Sequence, residues 1–261
     1  MKTHQLNHIL NNKKLGSSEL VRLLNIFFLS IKNKKPEIRE AAKQAKIKLG
    51  HFEAVNNYLN TLNSILKRKN HTELINFLSE HSNQEITKVG IIFNKIYPHL
   101  KNLESVITLS RSGTVLEILK LWHKKNKRIK VVVCESRPML EGRLMSEELV
   151  DNGIKVELIT DAMMGICING VDVAIIGADT VLKNGNVVNK TGSKALAVLC
   201  NKYKKPFYVV TTKSKISKKK TFQLKKQSPN EVWDKKIKNL SVSNSYFEEI
   251  EKKLIAKIFT D

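Results

Sequence analysis

The sequence reads as an α/β chain, with a helical N-terminal domain over residues 1–102 followed by a parallel-sheet domain over residues 103–261. Three observations predict this. Up to about residue 100 the apolar residues recur at helical spacing. After Leu103 short β-branched runs alternate with helical stretches. The run Val173-Ala174-Ile175-Ile176 then stops at Gly177-Ala178-Asp179, as a buried parallel strand does where it gives way to a loop.

The elements follow in order. Ser17-Ser18-Glu19 offers a cap for a helix carrying the stripe Leu20, Leu23, Leu24, Phe27 and Phe28. Pro36 suits the first turn of a second helix. Further helices are expected at Phe52–Leu66, Thr72–Leu78 and Ile86–Leu100, the last joining the two parts. Strands are expected at Val106–Leu109, Lys130–Cys134, Lys155–Ile159, Val171–Ile176 and Pro206–Thr211. Between them lie helical stretches at Thr114–Trp122, Leu140–Asp151, Asp161–Ile168 and Thr191–Tyr203. Strands separated by helices of this length imply βαβ crossovers, hence a Rossmann-like parallel sheet.

Composition sets outer bounds. No run approaches the roughly 20 apolar residues that span a bilayer, and no apolar run follows the first residues. The chain is therefore expected to be cytoplasmic, with no membrane role. The cysteines are three, an odd number that argues against a disulfide framework. No C-x-x-C pair is present, and no metal is expected. No G-x-G-x-x-G follows the first strand, so no dinucleotide or other cofactor is expected. The balance of 46 Lys+Arg against 24 Asp+Glu gives a net charge of +22. Lys124–Lys130 and Lys213–Lys226 concentrate it. RNA or an acidic partner would use such clusters, and RNA binding would fall steeply with salt. The alternative is a solvated surface, since only Phe222 interrupts the second cluster to offer stacking.

Strand ends are where an open α/β sheet binds ligands. Asp179 is placed at such an end, ready to accept hydroxyl protons. Asn189 and Lys190 follow within one loop, expected to lead into a helix and to hold a phosphate there. Ser110-Arg111-Ser112-Gly113 follows the first strand and fits a phosphate cradle of backbone N–H groups. Arg137 and Arg143 could clamp an anion, or Arg137 could pair with Glu135 or Asp161 to hold its loop. Asp161 has the position of a helix N-cap. Cys134 ends a core strand, the place of a buried thiol.

Several of these segments resemble one family. They are Gly177-Ala178-Asp179 with Asn189-Lys190-Thr191-Gly192, Glu135-Ser136-Arg137-Pro138 with Glu141-Gly142-Arg143, Thr160-Asp161-Ala162, and Asn244-Ser245-Tyr246-Phe247-Glu248. The family unites the alpha, beta and delta regulatory subunits of translation initiation factor 2B and their archaeal relatives with methylthioribose-1-phosphate and ribose-1,5-bisphosphate isomerases. The resemblance implies a site for a phosphorylated sugar or nucleotide at Ser110, Arg111, Ser112, Gly113, Arg137, Arg143, Asp179, Asn189 and Lys190. It also implies a homo- or hetero-oligomer assembled through the C-terminal part. The helical part would face a protein partner, in that family the alpha subunit of initiation factor 2. In the isomerases a Cys after the first strand works with the Asp matching Asp179, moving a proton between C1 and C2 of the opened sugar. Here Ser110 stands at that position. A thiol titrates near pKa ~8.5, whereas a serine hydroxyl needs an adjacent base, and every His precedes Lys124 in sequence. Gly16-Ser17-Ser18-Glu19 and Gln227–Val232 also resemble the translation-factor branch. The expected role is therefore a ligand-binding regulatory subunit without catalysis, the alternative being an aldose–ketose isomerase centred on Asp179.

Overall fold

The computed structural model describes residues 2–12, 15–68 and 70–261. Five helices come first: α1 (Lys2–Leu10), α2 (Ser17–Ser30), α3 (Lys35–Leu49), α4 (Glu53–Lys67) and α5 (His71–Leu100). The first goes beyond the expected helices and buries Leu6, Ile9 and Leu10. The α2 stripe is buried at Leu20, Leu24, Phe27 and Phe28, while Leu23 is only partly covered. Inside this core, the Asn25 side chain donates to the Leu78 carbonyl at 2.9 Å and accepts from the Tyr58 hydroxyl at 2.8 Å. One buried amide thus ties α2, α4 and α5 together, its polar groups satisfied as burial requires.

Two expectations change. The Ser17–Glu19 cap is not made: Gly16 stands at the N-cap without a side-chain bond, and Ser17 opens the helix. The stretches at 72–78 and 86–100 are one helix of 30 residues. Asn70 caps it, accepting from the Glu73 N–H at 3.1 Å. No Gly or Pro lies between the two stretches to stop it. Leu74 and Leu78 pack in the helical core, whereas Ile92, Phe93, Ile96 and Leu100 pack against the sheet.

The remainder is α/β. In chain order come β1 (Ser105–Leu109), α6 (Gly113–Lys125), β2 (Lys130–Cys134), α7 (Glu141–Asp151), β3 (Lys155–Ile159), α8 (Met164–Cys167), β4 (Val173–Ile176), β5 (Thr180–Val181), β6 (Val187–Lys190), α9 (Ser193–Lys202), β7 (Phe207–Val210), β8 (Phe247–Ile250) and β9 (Lys257–Phe259). Six strands form one sheet in the order β3-β2-β1-β4-β7-β9, all neighbours parallel. The chain starts at the centre, winds outward to β3, then returns beside β1 to build the other half. The two halves part between β1 and β4, the topological switch point at which such sheets open a crevice.

Residues alternate across the sheet. Val106, Val131, Val133, Val173 and Ile175 pack on the α5–α6–α7 side, and Ile107, Leu109, Val132, Ala174 and Ile176 on the other. Each such buried aliphatic contributes about 1.5–3 kcal/mol. The fourth strand starts at Val173 rather than Val171. Asp172, just ahead of it, accepts N–H bonds from Glu104 and Ser105, both at 2.9 Å, fixing the start of β1. Burial opposes the Asp172 charge, but these donors outweigh it and hold the carboxyl below its usual range.

A second sheet, β5-β6-β8, is antiparallel and lies outside the expected elements. Its β6 absorbs Asn189 and Lys190, which the sequence reading places in a loop leading into a helix. That helix, α9, begins only at Ser193. The stretch at 161–168 is broken into a 3-10 turn, the short α8 and another 3-10 turn. Among the described residues no helix is long and apolar enough to cross a membrane. The Lys124–Lys130 cluster falls at the end of α6, where cations suit the helix dipole.

Candidate functional site

The loops leaving β1 and β4 meet at the switch point and line a cleft. Ser110, Arg111, Ser112, Gly113, Asp179, Asn189 and Lys190 all line it, as the sequence places them. Ser110 is buried and adopts φ 64°, a left-handed conformation uncommon outside glycine. Its N–H donates to the Ser136 Oγ at 2.7 Å, and the Ser136 hydroxyl donates to the Cys134 carbonyl at 3.0 Å. Ser112 is the N-cap of α6, accepting from the Val115 N–H at 3.4 Å. The cleft therefore receives the N-terminus of a 13-residue helix, a place suited to an anion.

Across from it, Asp179 donates its backbone N–H to the Val188 carbonyl at 2.9 Å, pairing the loop with β6. The Ser17 hydroxyl donates to its Oδ1 at 3.4 Å. Lys190 holds Glu141 at 2.5 Å. Glu141 is 2% exposed, and a buried carboxylate of this kind requires such a partner. The Lys190 ammonium also lies over the Tyr246 and Phe247 rings, 4.9 and 5.0 Å from their centroids. Asn189 turns its amide to the Ser193 hydroxyl at 2.9 Å, linking β6 to α9. Arg111 makes a two-pronged pair with Glu148, at 2.9 and 2.6 Å.

The two other arginines do not line this cleft. Arg143 pairs with Glu135 at 2.8 Å, and Arg137 donates to the Val232 carbonyl at 3.1 Å. Asp161 is not a helix N-cap. Thr160 holds that place, and the Asp161 carboxylate accepts from the Ser136 and Arg137 N–H groups at 2.9 and 2.8 Å. It shapes the Ser136 turn that in turn holds Ser110. Cys134 is buried on its core strand, and burial pushes its thiol up to about 12. Cys200 is likewise buried and pushed up to about 12. Among the described residues no cysteine lines the cleft.

Sequence reasoning missed the far side of the site. Gly16, Ser17, Ser18 and Glu19 come from the start of α2, Phe52 from the turn before α4, Phe247 from β8. Glu141 and Lys215 complete the lining. Lys215 belongs to the Lys-rich 213–226 segment, yet it is buried, while Lys218–Lys220 beyond it are exposed. The Asn57 amide donates to the Ser214 carbonyl at 2.8 Å and docks this segment on α4. Asp179 also borders a second cleft, lined by His51, Phe222, Lys219 and Lys225. Folding thus brings one histidine to the same second cleft as Asp179, although every His precedes Lys124 in sequence. Burial pushes the His51 imidazole below its usual range; Lys225 adds to this and Asp179 opposes it. No sequence signal singled out His51, which lies in a turn of the helical part.

Chemically, the cleft sets a carboxylate for hydroxyls, a lysine and a helix N-terminus for an anion, and hydroxyls at Ser17, Ser110 and Ser112. It is built from both parts of the chain.

Residues 18–261 match the model of the Initiation factor 2 subunit family. A Pyrococcus furiosus protein, provisionally named translation initiation factor eIF-2B subunit 2-like, is 38% identical over 143 residues, 55% of this chain and 50% of that protein. The ribose 1,5-bisphosphate isomerase of Archaeoglobus fulgidus is 36% identical over 135 residues, 52% of this chain and 42% of the enzyme. The matched stretches thus span half or less of these relatives. The crystal structure of the Pyrococcus horikoshii OT3 translation initiation factor eIF-2B superposes with a TM-score of 0.84 at 25% identity, covering 99% of this chain and 94% of that one.

Proposed function

The chain belongs to the initiation factor 2 subunit family, and from that premise we propose that it is a regulatory subunit which binds a phosphorylated sugar or nucleotide in the Asp179 cleft without turning it over. The observation that carries this reading is the pairing of a furnished ligand site with a serine at its reactive position. Asp179, Lys190 and the α6 N-terminus converge, while Ser110 presents a hydroxyl and all three cysteines lie elsewhere. A serine hydroxyl is a far weaker acid than a thiol and is poorly suited to shuttling a proton between two carbons at neutral pH. It can hydrogen-bond a ligand.

The phosphate would sit at the N-terminus of α6. Sugar hydroxyls would donate to Asp179. Lys190, already paired to Glu141, would turn partly to the ligand. Arg137 and Arg143 would need to move to take part. The helical part would meet the alpha subunit of initiation factor 2, and copies or relatives would associate through the sheet part. Light scattering that gives a strict monomer at micromolar concentration would count against that association.

A second reading, an aldose–ketose isomerase, has one observation in its favour: folding brings His51 beside Asp179, giving that carboxylate a titratable neighbour. Calorimetric titration with ribose-1,5-bisphosphate, methylthioribose-1-phosphate and AMP, run beside an NMR turnover assay, separates the two. Binding without turnover is expected, weakened in Asp179→Asn by about 1.5–3 kcal/mol, the worth of a hydrogen bond to a charged group. Turnover abolished by the same substitution would make the protein an isomerase.

A further inference from the structure

The segment from Gln227 to Asn244 leaves the sheet domain as a loop pinned at its root. The Gln227 N–H donates to the Asn244 carbonyl at 3.0 Å. The Asn244 amide donates to the Ser228 carbonyl at 2.8 Å and to Glu231 at 3.0 Å, and the Tyr246 hydroxyl donates to Glu231 at 2.5 Å. Arg137 holds the Val232 carbonyl from the other side. Beyond this root the loop carries its apolar side chains outward. Trp233 is 44% exposed, Ile237 50% and Leu240 46%. They line one open groove with Lys235, Lys236 and Lys238.

Single exposed apolar residues need no explanation, and Ile47 and Ile166 are such cases here. Three large ones around one groove, on a root held by these five hydrogen bonds, are different. Tryptophan flanked by aliphatics is the composition of an interface anchor. The lysines beside them select the occupant. A second copy presenting the same face would set Lys235, Lys236 and Lys238 against their own counterparts, and like charges facing each other across an interface cost several kcal/mol.

We propose that the 227–244 loop is a docking site for an acidic protein segment that places apolar side chains against Trp233, Ile237 and Leu240 and carboxylates against Lys235, Lys236 and Lys238. The surface is separate from the Asp179 cleft: the two share no lining residue.

The test uses the intact protein and its own fluorescence. Of the two tryptophans, Trp122 is fully buried, so changes in acrylamide quenching and emission wavelength report on Trp233. The probes are three synthetic peptides of equal length: Glu/Asp with interspersed Leu and Phe, Glu/Asp with Ser in place of the apolar residues, and Lys with the same Leu and Phe. The expected result is a saturable blue shift with the first alone, its Kd raised about tenfold or more in Ile237→Ser/Leu240→Ser. These are exposed positions, and an unchanged circular dichroism spectrum would show that the fold is intact. Three results would overturn the proposal: equal binding of the Lys peptide, a shift that follows protein concentration without peptide, or no shift with any peptide. The second would assign the groove to another copy of the chain. A shift produced only by an RNA oligonucleotide or by anionic vesicles would overturn it as well.

Discussion

At Gly177 the end of β4 runs against the cap of α6. A Cβ built there would stand 2.5 Å from the Ser112 Oγ and 2.9 Å from its Cβ, closer than real atoms approach. The cleft needs that closeness, since it sets Asp179 opposite the helix N-terminus. Gly177→Ala should therefore cost about 1–3 kcal/mol in denaturant unfolding, the range for overpacking, and should displace Ser112 and weaken ligand binding with it. His51 gives the pH dependence. Its folded pKa lies below the ordinary 6.5, chiefly through burial. As pH falls through about 6.5 the unfolded chain takes the proton first. The fold then loses stability down to the lower folded value. An NMR titration should place the His51 midpoint below 6.5, and His51→Gln should remove its share of the acid loss. At this scale the sequence spoke clearly wherever a residue sat at a strand end. Asp179 and Ser110–Gly113 stood next to apolar runs that announced their place. Ser17, Lys215 and His51 carried no such neighbour, because what makes them part of the site is the docking of distant segments.

The elements divide in the same way. Strands β1, β2, β4 and β7 were legible because buried parallel strands are short, mostly apolar runs, whereas β3 is an exposed edge strand in which Lys155 and Glu157 alternate with Val156 and Leu158. The second sheet was only half legible. Its β5 and β6 meet across Asn184-Gly185, a hairpin signal present in the sequence. Its β6 also pairs with β8 in the register Val187–Ile250, Val188–Glu249, Asn189–Glu248 and Lys190–Phe247, and that partner lies far along the chain. Lys190 before Gly192 reads equally well as a loop. Helix α5 was divided in the reading because the polar stretch between Leu78 and Val89 has no apolar stripe. In the fold that stretch is carried by the helix on either side of it. Its start rests on Asn70, whose side chain takes the Glu73 N–H. Asn70→Ala should destabilise the protein by about 1 kcal/mol, the ordinary worth of an N-cap, measurable by urea unfolding.

At the scale of the whole molecule the cleft has walls from both parts, and among the described residues α5 is the element whose buried residues belong to both interiors. At roughly 1.5 Å per residue it is about 45 Å long. Neither half could stand alone, because an isolated helix of such length is marginal in water. Melting one interior would strip the support from half of α5 and leave the other half to fray. Calorimetry should therefore show a single endotherm with equal van't Hoff and calorimetric enthalpies. Gln84→Pro, an exposed position between the two buried halves, should split that endotherm in two. The long helix thus acts as a shared spine for heat as well as for shape. Any ligand that steadies the cleft should raise the melting temperature of α1 and α3 as well, helices that contribute no residue to its lining.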